Sequence, residues 1–153
     1  MDNFSIDPET GNLIFHSLNA VVERMSKWSA FPEALKLQIH AMRNMGTGWS
    51  WPLIAPLLYE GIRVGVSFGY HNRRLEMLNF SMLRDPNPGE DGPVWPTQAE
   101  SMEEEKILRQ AMGKQLGVSL DSGGAQFKWG SAYCLYHPRD DATSAGVNYT
   151  FFR

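Results

Sequence analysis

One cysteine, Cys134, stands among 153 residues, so no internal disulfide forms and a reducing compartment is the expectation. Long apolar runs are missing too. The longest, around Leu53 to Tyr59, is interrupted by Pro56 and falls far short of the ~20 residues that span a bilayer, so membrane insertion is not expected. Met1 to Asp7 carries no basic leader and no apolar core of signal-peptide length. In a chain without that signal, the glycosylation sequons Asn79-Phe80-Ser81 and Asn148-Tyr149-Thr150 read as chance, and the cytoplasm is the expected location. No Gly-Lys-Ser/Thr or G-x-G-x-x-G string follows Gly61-Ile62-Arg63-Val64-Gly65 or Gly123-Gly124, which excludes a phosphate-binding loop of either type there. Lys and Arg are absent from residues 85 to 105, where Asp85, Glu90, Asp91, Glu100 and Glu103 to Glu105 place seven of the 17 acids.

That last absence polarises the chain. Net charge is −3, yet outside residues 85 to 105 there are 14 basic and 10 acidic residues, a net of +4. Overall acidity argues against nonspecific nucleic-acid binding. At 12% aromatic and 42% hydrophobic residues the chain is not disordered. Its length suits one domain, residues 1–153, that buries roughly 70% of its unfolded surface without help from a disulfide or metal.

Several segments show a clear period. Phe4-Ser5-Ile6 and Leu13-Ile14-Phe15 flank an Asp7-Pro8-Glu9-Thr10-Gly11 turn, a hairpin signature. Val22, Met25 and Trp28 recur at helical spacing after Asn19, predicting a short helix over 19–29. Leu35, Leu37 and Ile39 alternate with polar residues and predict a strand. Residues 43 to 60, with two prolines and Gly46-Thr47-Gly48, read as a long ordered loop anchored by Trp49, Trp51, Leu53 and Leu57. Ile62, Val64, Val66 and Phe68 alternate with Arg63, Gly65, Ser67 and Gly69, and Leu75 to Leu83 continues after Asn72, the pattern of a hairpin with one covered face. Ser101 and Glu104 have the spacing of a capping box ahead of a helix over 101–117 whose buried stripe is Ile107, Leu108, Ala111, Met112 and Leu116. A strand over 126–139, a turn at 140–144 and a closing strand over 146–152 complete the chain. The expected fold is therefore α+β, mainly an antiparallel sheet of about six strands with helices packed on one face.

No complete catalytic or metal-binding set is visible. Cys134, His137 and Asp140 suggest a nucleophile, base and orienting acid, but 134 and 137 differ by an odd number and point to opposite faces of a regular strand. Cys134, between Tyr133 and Leu135, reads better as a buried small hydrophobe. His16, His40, His71 and His137 lack metal-ligand spacing, and no cofactor is expected. Phe127, Lys128, Trp129, Tyr136, Arg139, Phe151, Phe152 and Arg153 mix aromatic and basic character as single-stranded nucleic-acid platforms do, but a strand packed on a helix uses the same aromatics as core.

Lys114-Gln115-Leu116-Gly117, Phe127-Lys128-Trp129-Gly130, Tyr136-His137-Pro138-Arg139 and Val147-Asn148-Tyr149 together resemble a group of small bacterial proteins. In these, a helix ending in Leu-Gly leads to a Phe-x-Trp-Gly strand, a Tyr-Asp-Pro-Arg turn and a closing strand. The resemblance implies a single α+β domain, and for some members a place beside polymorphic or contact-delivered toxins as immunity proteins. His137 departs from the pattern, which has Asp there; Asp140 or Asp141 is available to cap the turn instead. The implied partner is a protein toxin, neutralised by occlusion without catalysis. The alternative is a small enzyme whose histidines and acids converge only in three dimensions. For a toxin partner, the acids outside the helix cap, Asp85, Glu90 and Asp91, with Trp95 as aromatic anchor, are the expected docking residues, since charge steers association and a desolvated Trp anchors it.

Overall fold

The computed structural model describes residues 2–83, 96–140 and 142–150. The N-terminal hairpin forms as its turn chemistry requires: β1 (Asp2–Ile6) pairs antiparallel with β2 (Leu13–Phe15), Phe4 opposite Phe15 and Ile6 opposite Leu13. Asp7 closes the turn, its carbonyl accepting from Gly11 N–H at 2.8 Å and its carboxylate from Glu9 N–H at 2.9 Å.

Three local expectations fail just beyond. The 19–29 segment is not a helix. Asn19 takes a left-handed turn conformation (φ 49), unlike the extended one of an N-cap, and Ala20–Val22 forms β3 against β2. Only a 3₁₀ turn, Trp28–Ala30, remains. The β-branched pair Val21-Val22 finds a strand partner in β2, and that pairing outweighs a weak helical period. The predicted strand around Leu35 is instead a short helix, α1 (Glu33–Lys36). Pro32 precedes it, a residue suited to a helix start. Leu35 is fully buried and Leu37 is 90% exposed, so their alternation never described one face.

The third failure is the largest. Instead of a loop, residues 43–60 hold the end of β4 (Ile39–Asn44) and the whole of the eleven-residue β5 (Trp49–Tyr59). Pro56 is tolerated because the register breaks between Ile54 and Leu57, a site where no ladder hydrogen bond is forfeited. On one edge β5 pairs antiparallel with β4 through residues 50–54, then parallel with β1 through Leu57 and Leu58.

The central hairpin is as its alternation predicts. β6 (Ile62–His71) and β7 (Arg74–Met82) meet at Asn72 and Arg73, both at positive φ (50 and 67), as a tight primed turn demands. Val64, Val66, Phe68 and Tyr70 are buried on one face. The following helix, α2 (Gln98–Leu116), begins a turn earlier than predicted. Thr97, not Ser101, makes the capping box: its hydroxyl accepts from Glu100 N–H and the Glu100 carboxylate accepts from Thr97 N–H, both at 3.1 Å. Ser101 and Glu104 are buried inside the helix. The helix ends, as expected, at a left-handed Gly117.

The C-terminal block is two hairpins. β8 (Gly124–Phe127) and β9 (Gly130–His137) flank the turn Lys128-Trp129, which breaks the predicted 126–139 strand, and β10 (Ala142–Asn148) lies between β9 and β7. Among the described residues the sheet thus has ten strands, not about six, in the order β3-β2-β1-β5-β6-β7-β10-β9-β8 with β4 added at β5. It is antiparallel except at β1–β5. α2 closes its inner face over β1, β9 and β10, burying Leu108, Met112 and Leu116. Gln115 acts as a surrogate strand there. Its amide accepts from Ile6 N–H at 3.0 Å and from Tyr59 O–H at 2.7 Å, and donates to Ile6 C=O at 2.7 Å.

Candidate functional site

Asp85, Glu90, Asp91 and Trp95, the docking residues expected from the sequence, lie outside the described residues. Asp141, Phe151, Phe152 and Arg153 lie outside them as well. The cysteine and histidine candidates are placed, and they do not converge. Cys134 is buried beneath α2, its Sγ 3.5 Å from the Glu105 carbonyl, and burial pushes its thiol up to about 11. A neutral, enclosed thiol is a poor nucleophile. His137 points to the other face of β9, with Nε2 3.1 Å from Ser144 Oγ across the ladder. His16 Nε2 is 2.9 Å from Ser5 Oγ. His71 Nδ1 is 2.8 Å from a carboxylate oxygen of the buried Glu76, and His40 lies exposed on β4. Among the described residues no three His, Cys, Asp or Glu side chains are grouped to hold a metal ion.

The aromatic block at 127–149 is a staple between the two ends of the fold. Trp129 is 2% exposed, stacked on Phe127 at 4.7 Å and tilted against Tyr149 at 5.9 Å. Its indole N–H donates to Pro8 C=O at 2.9 Å, and Tyr149 O–H donates to Gly11 C=O at 2.8 Å. Gly11 sits at φ +76, and a Cβ there would lie 2.5 Å from the Trp129 ring, so this position needs glycine for both its dihedral and its space. The residues that carry the sequence resemblance therefore do structural work. Glu105 clamps the neighbouring strand: its carboxylate accepts from Tyr136 N–H and pairs with Arg109 at 3.3 Å, while Arg109 donates to Cys134 C=O at 2.9 Å.

Among the described residues, what is left uncovered is the sheet's other face. Between the register shifts of β5 and β7 these positions point there: Trp49, Trp51 and Leu53, then Gly65, Ser67 and Gly69, then Met77, Asn79 and Ser81. Trp49 stacks on Trp51 at 5.5 Å and on His71 at 4.7 Å. Gly69 makes room for this, since a Cβ there would meet the Trp51 ring and Met77 at 2.7 Å. The result is an aromatic wall beside a floor of small polar residues. Tyr133 forms the opposite side, its hydroxyl bonded to Asn79. A groove of about 760 Å³ runs along this wall, lined by Met42, Arg43, Met45, Trp51, Leu53 and Asn79 among others.

Apolar and aromatic side chains around a few polar groups suit a macromolecular contact. Sequence reasoning missed this face because it assigned Trp49, Trp51 and Leu53 to a loop. Their odd-numbered alternation was the available signal, masked by Pro52 and Pro56.

No protein-family model matches the chain, and neither does any curated protein sequence. Among solved structures, the fold is similar to that of a chain in the complex titled "Rhs1-CT in complex with cognate immunity protein RhsI1", with a TM-score of 0.54 over 97% of this chain and 87% of that one at 12% sequence identity. At that identity the likeness is one of fold.

Proposed function

We propose that this protein is a non-catalytic binding protein, an immunity protein that neutralises a cognate toxin by occluding it in the cytoplasm of the bacterium that makes both. The observation that carries the reading is the fold shared along nearly the whole chain with a member of a toxin–immunity complex. The open sheet face supports it by offering an aromatic and methionine-lined surface of the kind protein interfaces use. The acids Asp85, Glu90 and Asp91 steer the partner on approach, with Trp95 as an anchor. Because the chain outside residues 85–105 is net positive, the toxin best suited to it is polarised in the opposite sense.

Co-expression is the test. A toxin-like region found immediately upstream of this gene is the one to use: it is induced in cells with and without this protein, and growth is followed. Survival only in its presence is the expected result. If cells die equally fast in both cultures, this protein gives no immunity to that toxin.

A further inference from the structure

An edge strand presents unpaired N–H and C=O groups, and proteins ordinarily blunt such edges with lysine, proline, acids or short length. Two edges of this sheet follow that rule: β3 has three residues and β8 four. β4 is longer, and its protection is limited to a bulge at its start, between Ile39 and Ala41, and to Arg43. Its six residues, Ile39-His40-Ala41-Met42-Arg43-Asn44, contain no lysine, proline or acid, and among the described residues it pairs on one side only, with β5. Residues 40–44 are all exposed, with Met42 at 44% and the following Met45 at 46%.

The strand carries charge of one sign. Its titratable side chains are His40 and Arg43, and the one acid in strands β4 to β7, Glu76, is buried beside His71. Among the described residues no carboxylate pairs with the exposed Arg43. The register puts Ala41 opposite Leu53 and Arg43 opposite Trp51, so both point to the groove face. Ala41 is small and leaves Leu53 accessible from the edge.

We infer that β4 is the seat of β-strand addition by the protein partner, taking an extended segment with an apolar side chain beside Ala41 and a carboxylate beside Arg43. Main-chain hydrogen bonds along the open edge supply the attachment. Alternate side chains entering the groove supply the specificity. The inference rests on the toxin-binding reading and names where and how that partner sits.

Hydrogen exchange of this protein tests it, with and without a substitution-disabled form of the toxin region used in the co-expression test. Complex formation is expected to slow alternate amides across residues 39–45 by about tenfold or more, and Arg43→Glu is expected to weaken the complex by about tenfold without shifting the melting temperature. A complex that forms while residues 39–45 exchange as in the free protein overturns the strand-addition site and leaves the toxin reading standing. No complex, together with no protection of cells in co-expression, overturns both. Protection of residues 39–45 that grows with this protein's own concentration, without the probe, assigns the edge to a second copy and overturns the proposal.

Discussion

Replacing Gln115 by leucine should cost far more than one surface-facing amide suggests. The amide makes three hydrogen bonds, to both backbone groups of Ile6 and to the Tyr59 hydroxyl. Leucine keeps the approximate volume and removes every partner, leaving an N–H, a C=O and an O–H unpaired at a partly buried junction of α2, β1 and β5. An unsatisfied group costs about 1–3 kcal/mol. Because these are only partly buried and recruit some water, the low end applies, or about 3 kcal/mol for the three together. With an unfolding entropy of about 2.1 cal/mol/K per residue across 153 residues, the melting temperature should fall by about 9 °C. Calorimetry and urea titration read both quantities. Tyr59→Phe alone should cost about 1 kcal/mol and nearly nothing when Gln115 is already leucine, because the two share one bond. A Gln115→Leu protein within about 0.5 kcal/mol of the parent, or fully additive effects of the two substitutions, would refute the bridging role.

Three other expectations concern different parts of the molecule. Burial holds Tyr59, Tyr70 and Tyr149 above the usual tyrosine range, with the Glu60 charge adding to the rise at Tyr59, and lifts Tyr133 to about 12. The unfolded chain therefore releases these protons first, near pH 10; stability is intact below that and falls as pH rises through it, by up to about 1.4 kcal/mol per pH unit for each tyrosine. Urea titrations at pH 9 and 11 check this, and tyrosine absorbance that ionises near pH 10 while the fold persists would contradict it. Trp129→Ala should cost about 3–5 kcal/mol and Gly11→Ala at least about 1 kcal/mol, with the Gly11 cost shrinking once Trp129 is gone; chemical denaturation of the double mutant decides whether the clash is shared. Reversing the charges of Asp85, Glu90 and Asp91 together should slow association with the toxin and flatten its salt dependence while leaving the melting temperature near that of the parent; stopped-flow association rates across a salt series measure it, and an unchanged rate places the steering charges elsewhere.

How much of this was legible in the sequence depended on whether a local signal had a rival. The β6–β7 hairpin had none: a strict two-residue period on both sides of an Asn turn allowed one reading. α2 was equally clear in its buried stripe, but its start was ambiguous because Thr97…Glu100 and Ser101…Glu104 share the same spacing. Only tertiary packing, which buries Ser101 and Glu104, tells them apart. β5 was hidden by prolines that look like breakers until the register break at Ala55-Pro56 is seen. β3 was hidden because three residues carry too little period to outvote a chance helical spacing. The open face followed β5 into obscurity, since its wall is built from Trp49, Trp51 and Leu53. The resemblance pointed to a fold and a partner class, yet the residues that carry it turn out to hold the structure together.

That staple has a consequence for how the chain is made. The turn at Asp7–Gly11 is synthesised more than a hundred residues before the groups its carbonyls bind, the indole of Trp129 and the hydroxyl of Tyr149. Gln115 likewise arrives long after the Ile6 backbone it grips. Until then β1 to β3 expose Phe4, Leu13 and Phe15, which are buried in the finished molecule. Contacts this distant in sequence form slowly. Closure therefore waits for Trp129 and Tyr149, when the β8 to β10 segment locks the β1–β2 hairpin in place.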